Sequence, residues 1–185
     1  MQYIETKIVG LWIIAPTIIR DARGYFAETY KKETFEKQIG KIDFIQDNES
    51  MSSFGVLRGL HYQEGEAAQA KLVRVIRGKV WDVAVDIRKT SPTFGQFVAV
   101  ELSEENKLQF FIPRGFAHGF LVLSEQTVFS YKVDNKYAPT SERTINCFDP
   151  DLAIPWPFDK SQLLLSEKDK AGSALKDITK QIMSV

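Results

Sequence analysis

Between residues 56 and 133 apolar side chains recur at every second position in short runs, broken by polar or glycine-containing turns, and few windows carry helical spacing. Residues 56–63 and 72–76 read as strands around a polar loop, 64–69. After Arg77-Gly78-Lys79, Trp81, Val83, Val85 and Ile87 share one face. Ser91-Pro92-Thr93 and Gly95 mark a turn, 97–102 is a strand, and Ser103-Glu104-Glu105-Asn106 turns into 108–112. Pro113 and Gly115 break the pattern, 120–123 resumes it, and 127–133 sets Phe129, Tyr131 and Val133 on one face. So many short strands indicate a mainly β fold, a jelly-roll barrel with an N-terminal strand extension and a few short helices. The barrel mouth is then the natural site.

The flanks are less regular. Residues 8–19 are apolar but interrupted by Gly10 and Pro16, with only Lys7 ahead of them, and read as a strand rather than a targeting segment. Residues 33–39 predict a short helix, 44–53 (FIQDNESMSS) a polar connection, and 176–183 a terminal helix. Pro155 and Pro157 around Trp156 argue against a central strand there. The expectation is one domain over 1–185, with a barrel core at about 45–150 and a C-terminal extension at about 151–185.

Charge narrows the function. There are 24 Lys+Arg and 24 Asp+Glu, spread along the chain, so no nucleic-acid or membrane surface is expected, whereas a small anionic ligand is compatible. No stretch approaches the roughly 20 apolar residues of a membrane span. The lone cysteine, Cys147, excludes an intrachain disulfide and reads as a small buried hydrophobe, which fits a reducing compartment. A soluble cytoplasmic protein is the expectation.

The stretch 55–88 carries ionisable groups where a structural strand would carry Val or Ile: Arg58, His61, Lys71 and Arg74, with Gln63. His61 and Lys71 flank the 64–69 loop. If the strands on either side pair as a hairpin, base and cation reach one ligand, an arrangement suited to removing a proton next to a carbonyl while the cation steadies the enolate. The bland reading makes His61 a rim histidine and Lys71 a solvated residue. RDARGYFAETY, with two arginines followed by Tyr25, Phe26 and Glu28, suits either a phosphate-holding, ring-stacking loop or an ordinary exposed one. Gln46 and Asn48 suit either a ligand or a turn.

Longer motifs point to a family. IPRGFAHGF contains P-x-G-x-x-H as Pro113, Gly115 and His118, like the second motif of the cupin barrels. GVLRGLHYQ, QAKLVRV, DVAVDIR and SPTFG, with RDARGYFAETY upstream and YKVDNKYAPTSE and LSEKD downstream, resemble the dTDP-4-dehydrorhamnose 3,5-epimerase family in family order, from about residue 20 to residue 169. The resemblance implies conversion of dTDP-4-dehydro-6-deoxyglucose to dTDP-4-dehydrorhamnose by inversion at C3 and C5 through enolates, in deoxysugar biosynthesis. It implies His61 as the base, Asp169 orienting it, Tyr131 as the acid on the opposite face of the sugar, and Lys71, helped by His118, stabilising the enolate. Arg23, Glu28, Gln46, Asn48, Arg58, Glu142 and Lys168 match positions that hold the nucleotide diphosphate and sugar, and Phe26 a position that stacks on the base. A homodimer is implied, with the N-terminal strand and Arg23 loop crossing into the partner's site. Competing readings are a single-centre epimerase, a non-catalytic sugar-nucleotide-binding cupin and a metal-dependent cupin.

Other expectations concern single positions. Ser166 to Asp169 has capping-box spacing, so Asp169 also suits a helix start, and Tyr131 suits a barrel tyrosine bonded to backbone. Arg58 and His61, three apart, point to opposite faces of a regular strand, so both line one site only if Gly59 marks a bulge or Arg58 reaches in from a rim. His61 and His118 are the only histidines and the first cupin motif reads His61-Tyr62-Gln63, so a three-histidine centre is unavailable; no metal is expected. No G-x-G-x-x-G follows a strand, so no nicotinamide cofactor is expected either. RTINCFDP departs from the family near Cys147, where an aromatic would be expected; a changed pocket wall at Cys147 and Phe148 would alter specificity.

Overall fold

A computed structural model describes residues 1–182. In chain order the elements are β1 (Gln2–Glu5), β2 (Trp12–Ala15), β3 (Ile18–Asp21), β4 (Gly24–Ala27), α1 (Lys32–Gln38), β5 (Gln46–Ser53), β6 (Leu57–Gln63), β7 (Lys71–Arg77), β8 (Lys79–Asp86), β9 (Phe97–Ser103), β10 (Gln109–Ile112), β11 (Phe116–Val122), β12 (Gln126–Val133), β13 (Glu142–Thr144), α2 (Glu167–Lys170) and α3 (Leu175–Ile182). Antiparallel pairing builds a six-stranded sheet, β1-β2-β10-β7-β12-β5, and a five-stranded sheet, β13-β6-β11-β8-β9; β3 and β4 form a separate hairpin. This is the jelly-roll barrel that the strand pattern predicts.

The two sheets close on each other because each presents an apolar face. Val73, Val75, Phe110, Ile112 and Phe129 from one meet Val80, Ala84, Val100, Leu102 and Phe120 from the other. Fully burying each large apolar side chain contributes about 1.5–3 kcal/mol. The outer faces are covered as well. Val83, Val85 and Leu121 pack against Leu152, Leu163, Leu175 and Ile178 of the C-terminal segment, and Leu72 and Phe111 against Phe35 of α1. Trp81 and Ile87 lie on that first outer face, as the alternation predicts.

Several expectations need correction. Strands 56–63 and 72–76 do not form a hairpin: β6 pairs with β11 and β13, and β7 with β10 and β12, in opposite sheets. The connecting loop crosses the barrel rather than turning back beside its own strand. The polar segment 44–53 is mostly strand, with β5 registered against all of β12; an edge strand gains its hydrogen bonds from one neighbour and needs little apolar surface. Residues 8–19 hold two strands, because Pro16 interrupts the run and Gly10 turns the chain at φ +97°. β11 begins at Phe116, earlier than residue 120. β1 and β2 join the six-stranded sheet, so the strand set extends beyond 45–150. The predicted terminal helix lies at Leu175–Ile182; Met183, and residues 183–185 of the expected domain, lie outside the described residues.

Candidate active site

The site begins with an irregularity in β6. His118 pairs with His61 and Phe120 with Arg58, so a two-residue step on β11 faces a three-residue step on β6. The extra residue is the predicted bulge, and it turns Arg58 and His61 to the same side. Gly59 has φ +122°, and a Cβ there would stand 2.5 Å from the Gly119 Cα, so glycine alone fits. Leu57, Leu60 and Tyr62 pack outward. Arg58 and His61 thus reach a cavity of about 140 Å³ between the sheets, shared with Ser50, Lys71, His118 and Tyr131.

The walls of the cavity come from opposite sheets. His61 and Arg58 come from β6 and His118 from β11, in the five-stranded sheet; Lys71 comes from β7 and Tyr131 from β12, in the six-stranded one. Base and cation share a cavity because their strands face each other across the barrel.

His61 Nε2 lies 2.5 Å from Asp169 Oδ1. Asp169 is buried, and its other oxygen accepts from Ser166 Oγ at 2.8 Å, while its backbone N–H donates to the same hydroxyl at 3.2 Å. The helix-start reading and the histidine-orienting reading therefore both describe Asp169: Ser166 caps α2, and the cap aims the carboxylate. Burial pushes the Asp169 carboxyl up, but the His61 and Ser166 hydrogen bonds outweigh it and hold its pKa below the ordinary value. With Nε2 turned to the carboxylate, Nδ1 is the nitrogen left to accept a proton.

Lys71 and Tyr131 are both tuned by burial. It brings the Lys71 ammonium down to about 8, against the opposing pull of Asp82 and Glu142. It raises the Tyr131 phenol, which keeps a transferable proton at neutral pH; Arg58 works the other way. Among the described residues the Tyr131 hydroxyl bonds to no backbone group, unlike the barrel tyrosine considered as the alternative. His118 Nε2 sits 2.9 and 3.0 Å from the two oxygens of Asp82. At the rim beside β6, Glu142 pairs with Lys168 at 2.5 Å and accepts from Tyr137 at 2.7 Å.

Not every expected residue gathers here. Arg23 is ion-paired with Asp21, its side chain 90% exposed, and Phe26 is 67% exposed. With Glu28 they lie on or beside the β3–β4 hairpin, away from the His61 cavity. Gln46 and Asn48 lie on β5, bonded to each other at 2.7 Å, with Asn48 in register with Tyr131. Cys147 is buried behind the five-stranded sheet and Phe148 lies under the Lys160 ammonium, so within this chain neither forms the pocket wall. Sequence reasoning missed Asp82, and it read Ser166 only as a helix cap, not as a partner of the Asp169 carboxylate. A carboxylate between Val80 and Ala84 was the available signal for Asp82. Arg74 turns to a larger depression, about 380 Å³, outside the six-stranded sheet with Tyr30, Gln109 and Lys132. That hollow sets no imidazole against a cation, and the smaller cavity is the one equipped for chemistry.

Residues 5–177 match the family model described as dTDP-4-dehydrorhamnose 3,5-epimerase. The chain belongs to that family. The dTDP-4-dehydrorhamnose 3,5-epimerase of Salmonella typhimurium is 55% identical over 177 residues, 95% of this chain and 96% of the relative. The crystal structure of the dTDP-4-dehydrorhamnose 3,5-epimerase from Elizabethkingia anophelis superposes with a TM-score of 0.92 at 53% identity, covering 96% of this chain and 97% of the other. The dTDP-6-deoxy-D-glucose-3,5-epimerase from Legionella pneumophila, in complex with dTDP-4-keto-L-rhamnose, gives 0.93 at 51% identity, with 98% and 96% covered. The epimerase-family match spans every residue lining the His61 cavity and extends through Asp169.

Proposed function

We propose that this protein is a dTDP-4-dehydrorhamnose 3,5-epimerase, converting dTDP-4-dehydro-6-deoxyglucose to dTDP-4-dehydrorhamnose by inverting C3 and C5. The 4-keto group acidifies the protons on both neighbouring carbons. His61, oriented by Asp169, removes one; charge moves onto the ketone oxygen, where Lys71 and His118 stabilise the enolate. Tyr131 returns a proton from the other face, which inverts the centre, and a second round treats the other carbon. A single group acting on one face would regenerate the starting configuration. The observation that carries the reading is that His61 and Tyr131 stand on opposite sheets around one cavity with Lys71.

The reading is tested by NMR with dTDP-4-dehydro-6-deoxyglucose in deuterated water. Label at both C3 and C5 of the product is expected. Label at one carbon makes the protein a single-centre epimerase, and binding without exchange makes it a non-catalytic nucleotide-sugar binder.

We further propose a cytoplasmic homodimer in which Arg23, Phe26 and Glu28 of one protomer complete the partner's nucleotide subsite. Support comes from their exposure on and beside the separate β3–β4 hairpin and from their absence from the lining of the same chain's His61 cavity. Arg58, Gln46, Asn48, Glu142 and Lys168 supply the sugar and diphosphate contacts on the chain's own side. Sedimentation equilibrium should give twice the chain mass, and Arg23→Ala should raise KM about tenfold with kcat little changed. A monomer that retains full activity overturns this arrangement.

A further inference from the structure

Asp82 is out of place in the barrel interior. It lies on β8 between Val80 and Ala84, both in the apolar core between the sheets, and has no exposed surface. A carboxylate in such surroundings is costly unless partners answer its charge. Among the described residues its side chain is hydrogen-bonded by His118 alone. The His118 ring also stacks on Phe129, with centroids 6.2 Å apart and planes inclined by 23°. The imidazole is thereby fixed from two directions.

The same carboxylate bears on Lys71. The charged groups acting on that ammonium are Asp82 from β8, Glu142 from β13 and Lys168 from α2. Arg58 and His61 from β6, His118 from β11 and Tyr131 from β12 face it around the cavity. Glu142 is already engaged by Lys168 and Tyr137. Asp82 is left as the neighbouring carboxylate with no Lys or Arg bonded to it.

We propose that Asp82 is a positioning residue of this site: it fixes the His118 ring and supplies the negative charge that holds Lys71 in its ammonium form, so that both donors meet the enolate oxygen as it develops. The proposal rests on the epimerase reading above. Burial is the main influence lowering Lys71, and Asp82 is the largest one resisting it. Burial likewise raises Asp82, against the opposing pull of His118 and Lys71. The enolate-stabilising form of Lys71 is the protonated one, so activity falls as pH rises through its pKa. Removing the Asp82 charge moves that fall to lower pH.

Asp82→Asn keeps the size of the side chain and an acceptor for His118 but removes the charge. Two quantities are compared with wild type: the Lys71 titration, followed by ¹⁵N NMR of the labelled ammonium, and the pH profile of kcat/KM. Both the titration and the alkaline limb should move down by about one pH unit. At pH 7.5 that gives roughly a threefold loss of kcat/KM, shrinking toward pH 6. An unchanged Lys71 titration overturns the proposal, even if activity falls. Should the variant not fold, ¹³C NMR of the wild-type Asp82 carboxyl decides the matter: it should be ionised across the active pH range, and a carboxyl still protonated at pH 8 overturns the proposal. A wild type that binds substrate but produces no exchange defeats the epimerase reading instead, and the Lys71 titration still reports on the coupling.

Discussion

His61→Ala is expected to abolish exchange of the C3 and C5 protons with solvent, lowering kcat/KM by at least about a thousandfold while changing dTDP affinity by no more than about twofold. The imidazole stands between Asp169 on one side and the cavity on the other. In the proposed mechanism it acts as the carbon–hydrogen bond breaks, so its loss is expected to fall on the transition state. Alanine leaves a small space at a partly open rim, and the outward packing of Leu60 and Tyr62 that holds β6 is untouched. Isotope exchange followed by NMR, together with calorimetric titration of dTDP, separates the two effects. A comparable loss of nucleotide affinity would recast His61 as a binding contact.

Tyr131→Phe separates the two faces of the sugar. The base remains, so protons continue to be removed and returned on its own side, and deuterium appears in unconverted starting material. Completed inversion should fall by about a hundredfold or more, because the opposite-face donor is gone. The fold should tolerate the change, since the hydroxyl bonds no backbone group and the ring keeps its contact with Phe129 at 6.2 Å. The ratio of label in recovered substrate to label in product is the measurement. If exchange and inversion decline together, the phenol is not the acid. If neither declines, a donor other than Tyr131 serves that face.

How much of this was legible in the chain depended on whether the signal was local. The strands of the barrel core could be read because a sheet face turned to the core demands apolar side chains at every second position, as in β8 and β12. β5 could not, because seven of its eight residues are polar and its strand conformation comes from pairing along β12. The family motifs named His61, Lys71, Tyr131 and Asp169 in one dimension. Their meeting runs through elements far apart in sequence, with Asp169 brought to His61 by a C-terminal segment that packs over the outside of the five-stranded sheet.

The sequence by itself determined the β-rich class, the bulge at Gly59 as one of two ways to bring Arg58 and His61 together, and the family. Only the tertiary structure decided that base and cation face each other from opposite sheets rather than along a hairpin, that Arg23 and Phe26 stand clear of their own cavity, and that a buried carboxylate at position 82 lies beneath the site. The reason is physical. Backbone periodicity is written residue by residue, whereas charge pairing and burial depend on which distant strands close upon one another.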